Sequence, residues 1–197
     1  MTSDGVRSHA GHEGAGYRHD TVTTMPADID LDDLAARIRE RCELTGEFRL
    51  RSGATANRYF DKFLLHADPV LAREIAEALV PLVPPETEVL AGLEMGAIPL
   101  VAVLSQVTGL PARFVRKQPK PYGTQRLAEG GDVEGKRVTV LEDVVTTGGQ
   151  VVESCAALRV RGAELIAVVC VIDRKGGGAE ALAASNLPLH ALLEFPS

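Results

Sequence analysis

Nowhere does this chain run apolar for the ~20 residues that a bilayer-spanning helix needs, and its first residues contain no hydrophobic stretch of the kind a secretory leader has. Neither a membrane span nor a secreted destination is expected. Cysteine is scarce and badly spaced for chemistry. Cys42, Cys155 and Cys170 are an odd number without a CxxC pair, and the last two lie in apolar runs, which reads as reduced core thiols of a cytoplasmic protein. An excess of positive charge is missing too. With a formal net charge of -6, the chain has no long-range attraction for nucleic acid, so any anionic ligand must be held by a local basic cluster. No repeat of fixed period is present. GxxxxGK[ST] and GxGxxG are both absent, which excludes a Walker A loop and the usual dinucleotide fingerprint.

What is present suits one soluble domain: 197 residues, 45% hydrophobic and 24% charged. Residues 1–27, rich in Gly, Ser, Thr and His without apolar periodicity, are expected to be a disordered extension. Its His9, His12 and His19 have no Cys or carboxylate at metal-ligand spacing and read as a solvated tail. Residues 28–197 are expected to form one domain. From Ile29 the apolar residues recur at helical spacing, acids first and arginines later, with Gly46 as the expected stop. FRLRSGATANRYFDKFLL then predicts a hairpin around Ser52-Gly53. Beyond it helices and strands alternate. Asp68-Pro69 opens a helix to about Leu82, ETEVLAGL is a strand, IPLVAVLSQVTG a helix and ARFVR a strand. Later come the strand VTVL, a helix over about 149–161, the strand LIAVVCVID, a short helix at AEALAAS and a last strand, LHALLEF. Such alternation implies an α/β fold with a mostly parallel sheet.

The chemistry concentrates in VTVLEDVVTTGGQ, Val138 to Gln150. In such sheets ligands bind at the carboxyl ends of strands, so Glu142 and Asp143 are expected to face that crevice. The TTGG that follows offers successive backbone N–H groups in a turn that glycine permits, leading into the positive end of a helix: a phosphate cradle. Two carboxylates accept hydrogen bonds from vicinal hydroxyls while the loop beyond them holds a phosphate, and a ribose 5-phosphate satisfies both at once. The plainer reading is that Asp143 caps a helix and the glycines make a tight turn.

These residues resemble the phosphoribosyl-diphosphate signature of the type I phosphoribosyltransferases. FRLRSGATANRYFDK, VRKQPKPYGTQRLAEGG and VIDRK resemble the members of that family that act on orotate, and the likeness covers the chain from about residue 30 to its end. It implies the family's fold, with an N-terminal helix and β-hairpin hood over about 28–66, a flexible catalytic loop over about 116–131, and transfer of phosphoribosyl from its 1-diphosphate to orotate with Mg2+. The diphosphate donor would be held by Arg116, Lys117, Lys120, Glu142, Asp143, Val144, Val145, Thr146, Thr147, Gly148, Gly149 and Gln150. Lys120 matches the family's catalytic loop lysine, and Asp143 is the second catalytic candidate. Orotate, with a carboxylate and two carbonyls, would meet Arg51, Arg174 and Thr146, with Tyr59 and Phe60 as a flat wall. The metal would ride mainly on the diphosphate and its waters, with no certain protein ligand. Sharing of the loop between subunits implies a homodimer, and neither nucleic acid nor membrane is an expected partner.

Two positions depart from the family. Tyr122 stands where many relatives have histidine, and Gly96, in GLEMGAIPL, stands where many have lysine, leaving Glu94 as the closest polar replacement. Asp61-Lys62 reads as a local ion pair, and His66 and His190 as structural. Alternatives are the same fold acting on another base, a non-catalytic regulator that binds the same diphosphate, and a plain phosphate-binding module.

Overall fold

A computed structural model describes residues 29–49, 53–118 and 126–196. The expected disordered extension, Arg51, Lys120 and Tyr122 lie outside the described residues, as do residues 119–125 of the expected catalytic loop.

Helix α1 (Leu31–Cys42) starts where Asp30 caps it, its carboxylate accepting from the N–H groups of Asp32 and Asp33 at 2.9 and 3.2 Å. Leu34, Ile38 and Cys42 form its fully buried stripe. The next positions on that stripe are Thr45 and Gly46, which have nothing apolar to bury. The helix therefore ends four residues before the expected glycine stop. Glu43–Arg49 instead becomes β1, antiparallel to β2 (Thr55–Phe60), and this pairing overrides the local helical signal.

After the short α2 (Leu64–Ala67), helix α3 (Pro69–Leu79) obeys its sequence signals. Asp68 caps it and Pro69 occupies its first turn, where a missing N–H costs nothing. A 3-10 turn over Val80–Leu82 completes the expected span. Strand β3 (Val89–Leu93) leads into α4 (Glu94–Thr108), which begins four residues earlier than the sequence suggested and closes on Gly109 in the left-handed region. Next come β4 (Ala112–Val115), β5 (Ala128–Glu129), β6 (Arg137–Val145), α5 (Gly149–Arg159), β7 (Glu164–Asp173), α6 (Gly178–Ala183) and β8 (Leu189–Glu194). The two-residue β5 is too short for any periodicity to announce it.

The six-stranded sheet has the order β5-β4-β3-β6-β7-β8, with every neighbouring pair parallel except β4 and β5. Alternate residues of β7 feed opposite faces: Val169 and Val171 join Leu34, Ile75, Leu79 and Leu104, while Val168 and Cys170 join Val151, Leu158 and Leu182. Truncating a fully buried Ile75 or Leu79 to alanine would cost ~2–5 kcal/mol. Arg37 ties the hood helix to α3, its guanidinium on Glu74 at 2.8 and 2.5 Å and on Asp33 at 2.7 Å. From β3 the chain passes outward to β4 on one side and returns to β6 on the other, with α4 and α5 on opposite faces. That reversal opens a crevice at the carboxyl ends of β3 and β6.

Candidate active site

Into that crevice β6 delivers the acid pair. Asp143 has no exposed surface and Glu142 is 9% exposed, so the carboxylates lie beneath the crevice surface and not on its open wall, as the sequence had suggested. Asp143 Oδ1 accepts from the N–H of Val144 at 2.7 Å and from Lys62 Nζ at 3.0 Å. Its Oδ2 is buried with no hydrogen-bond partner among the described residues. Desolvation, then the neighbouring Asp143, holds the Glu142 carboxyl well above the usual carboxylate range, so Glu142 carries its proton at neutral pH.

Lys62 corrects the expected Asp61-Lys62 pair. Asp61 accepts from the N–H of Phe63 at 3.1 Å, and Lys62 crosses from the hood to the signature strand. Nothing in local spacing pointed to a contact across 81 positions. His66 sits in the same cluster. Burial keeps it neutral, lowering its pKa against the pull of Asp143, and its buried ring nitrogens make only a loose contact with the Gly96 backbone and no well-formed hydrogen bond.

Gly96 lies in the first turn of α4, pressed against the acid pair. A Cβ there would come within 2.3 Å of Asp143 Oδ2. The close approach expected of this glycine is thus, among the described residues, an approach to a carboxylate. Glu94 adopts φ 53°, and its Oε1 accepts from the backbone N–H of Lys117, fastening the β3 end to the start of the basic loop. Arg116 pairs with Glu129 at 3.7 Å, while Lys117 is exposed.

Val144 and Val145 belong to the strand. They pair with Ile172 and Asp173, and the Val145 carbonyl accepts from the Arg174 N–H at 2.8 Å. The turn expected to form the cradle begins at Thr146. Thr146, Thr147, Gly149 and Gln150 are exposed, and buried Gly148, at φ 74°, turns the chain into α5. Part of its support went unread in the sequence. In the Gly176-Gly177-Gly178 run, a Cβ on Gly178 would lie 2.4 Å from Val145 Cγ1 and 2.8 Å from the Thr146 carbonyl oxygen, so glycine lets the β7–α6 turn lie against the cradle. A glycine run just after VIDRK was the available signal.

For the base, the structure brings Phe60 and Arg174 together, the guanidinium carbon 5.8 Å from the ring centroid. Tyr59 points to the other face of β2 and stacks on Phe48 at 5.4 Å, so Tyr59 and Phe60 do not form one wall. His190 lies in β8 opposite Val169, away from the acid pair in the ladder.

A model of the phosphoribosyl transferase domain matches residues 65–184, and the chain belongs to that family. It is 51% identical over 160 residues to the orotate phosphoribosyltransferase of a Nocardioides species, covering 81% of this chain and 89% of that protein. Against the orotate phosphoribosyltransferase of Haloquadratum walsbyi it is 41% identical, covering 86% of this chain and 93% of the relative. The crystal structure of Mycobacterium tuberculosis orotate phosphoribosyltransferase with Fe(III) dicitrate superposes with a TM-score of 0.77 at 32% identity, covering 84% and 97% of the two chains. The same enzyme has been solved with 5-phospho-alpha-D-ribosyl 1-diphosphate, and there the TM-score is 0.73 at 29% identity, with 85% and 97% covered. Within the phosphoribosyltransferases, then, this chain is a member of the orotate phosphoribosyltransferases.

Proposed function

We propose that this chain is a pentosyltransferase that moves the phosphoribosyl group from 5-phosphoribosyl 1-diphosphate to orotate, giving orotidine 5'-monophosphate and pyrophosphate in pyrimidine biosynthesis. The observation that carries the reading is the acid pair of β6 leading directly into the exposed Thr146–Gln150 cradle at the N-terminus of α5. Asp143, helped by Glu142, accepts from the ribose hydroxyls. The cradle N–H groups and the Thr146 and Thr147 hydroxyls hold the 5-phosphate. Arg174, with Arg51 from the hairpin, forks onto orotate's acceptors beside Phe60.

Bond cleavage at the anomeric carbon leaves an oxocarbenium-like centre and growing negative charge on pyrophosphate. Arg116, Lys117 and Lys120 stabilise that charge, and closure of the 116–131 loop keeps water from the activated sugar. Asp143 Oδ2, without a partner among the described residues, and Glu94 are the oxygen donors nearest in kind to what Mg2+ takes. Such a sparse set fits a cation that keeps most of its waters and binds chiefly through substrate phosphates. When bound, the metal neutralises the leaving diphosphate. The loop is shared between two subunits of a homodimer. The buried cysteines suit the reducing cytoplasm, and no helix among the described residues is long and apolar enough to cross a membrane.

The test is the loss of orotate absorbance on mixing protein, orotate, 5-phosphoribosyl 1-diphosphate and Mg2+, with uracil, adenine and hypoxanthine as controls. Loss with orotate alone is expected. Turnover of another base would overturn the specificity, and binding of the diphosphate without any turnover would point to a regulator.

A further inference from the structure

Lys62 is a cation beside the carboxylate at the proposed donor site. Gly96 cannot supply one: any side chain there starts within 2.3 Å of the Asp143 carboxylate. On the same carboxylate's other oxygen sits the Lys62 ammonium, at 3.0 Å. Gly96 and Lys62 thus flank one group, the glycine from the β3–α4 turn and the lysine from the hood. The Lys62 side chain is 39% exposed, whereas the carboxylate it holds is not exposed at all, so of the two partners the lysine is the one open to solvent. An ammonium has three donors, and Asp143 Oδ1 accepts from one of them.

As a purely structural device the pair is poor value, because burying a carboxylate beneath a lysine gives little net stability over an apolar pair. His66, kept neutral by burial, does not share the counter-ion role. When ribose hydroxyls reach Asp143, they compete for the oxygen that Lys62 now holds.

We infer that Lys62 is a donor-binding residue that passes from Asp143 to the diphosphate of the incoming substrate, replacing from the hood the cation that the Gly96 turn cannot carry. This rests on the proposed reaction. It also makes the hood a sensor of donor binding, because the lysine that contacts the diphosphate is anchored beside the hairpin that meets the base.

The test compares two ligands by calorimetry at fixed Mg2+: 5-phosphoribosyl 1-diphosphate, and ribose 5-phosphate, which lacks the diphosphate. A charge-assisted hydrogen bond corresponds to about 10- to 100-fold in affinity, so Lys62→Met should weaken binding of the diphosphate by that factor and leave ribose 5-phosphate within about threefold. Lys62→Arg should restore most of the loss. Should Lys62→Met fail to fold, Asp143→Asn and Lys62→Met/Asp143→Asn, which leave no unpaired buried charge, give the same comparison. Equal losses for both ligands, or none for the diphosphate, would overturn the assignment while wild-type turnover of orotate leaves the reaction standing. A wild type that neither binds the diphosphate nor consumes orotate would overturn both.

Discussion

Replacing Gly96 by alanine tests the packing on which the site depends. The glycine is in the first turn of α4, and the substitution would by itself favour the helix by ~1 kcal/mol. Against this, the added Cβ would stand 2.3, 2.7 and 2.9 Å from Oδ2, Cγ and Oδ1 of Asp143. The carboxylate must move, and it is fully buried, so its shift strains the end of β6 and stretches the 3.0 Å bond from Lys62. Overpacking costs ~1–3 kcal/mol, loosening the ion pair of the buried carboxylate adds ~2, and the ~1 kcal/mol helix gain is subtracted, giving a net destabilisation of ~2–4 kcal/mol. At ~2–4 °C per kcal/mol for a domain of this size, the melting temperature should fall by about 5–15 °C. Thermal unfolding followed by circular dichroism reads this directly. In an Asp143→Ala background the obstacle is gone and Gly96→Ala should become neutral or slightly stabilising, a coupling that a double-mutant cycle isolates. If Gly96→Ala melts at the wild-type temperature or above it, the carboxylate does not lie against this turn.

Three other expectations are open to direct measurement. Burial pushes the Glu142 carboxyl from 4.5 up to about 9, so the folded protein holds a proton that the unfolded chain releases; the stability this gives is complete below about pH 4.5 and is lost as the pH rises through about 9. Melting temperature should decline across that window in wild type and less steeply in Glu142→Gln, and identical slopes would refute the assignment. If Lys120 has the transition-state role proposed for it, Lys120→Ala should lower turnover by at least ~100-fold with an unchanged circular dichroism spectrum; normal turnover would sink it. Cys42 and Cys155 are buried with thiols pushed up to about 11 and about 12, and Cys170 is pushed higher still, all chiefly by desolvation. A thiol reagent should label none of the three until denaturant is added, and rapid labelling of native protein would contradict their placement.

Much of the fold was legible because its cues are local. The Asp68-Pro69 cap, the Gly109 stop and the continuous apolar runs of β3, β6 and β7 act within a few residues, so α3, α4 and the sheet core appear at nearly the expected places. The turn proposed as a phosphate cradle was legible for the same reason: strand, acids, hydroxyls and glycines are contiguous and lead into the N-terminus of a helix. The early end of α1 and the two-residue β5 were not, since each depends on a partner strand outside its own window. Composition and local pattern therefore determined an α/β domain and placed an acid pair and a glycine turn at the end of one strand. Tertiary structure alone decided that Asp143 lies buried between Lys62 and Gly96, that Phe60 and Tyr59 part company, and that Gly178 supports the cradle. Those outcomes are set by distances between segments far apart in the chain, which spacing along the sequence does not encode.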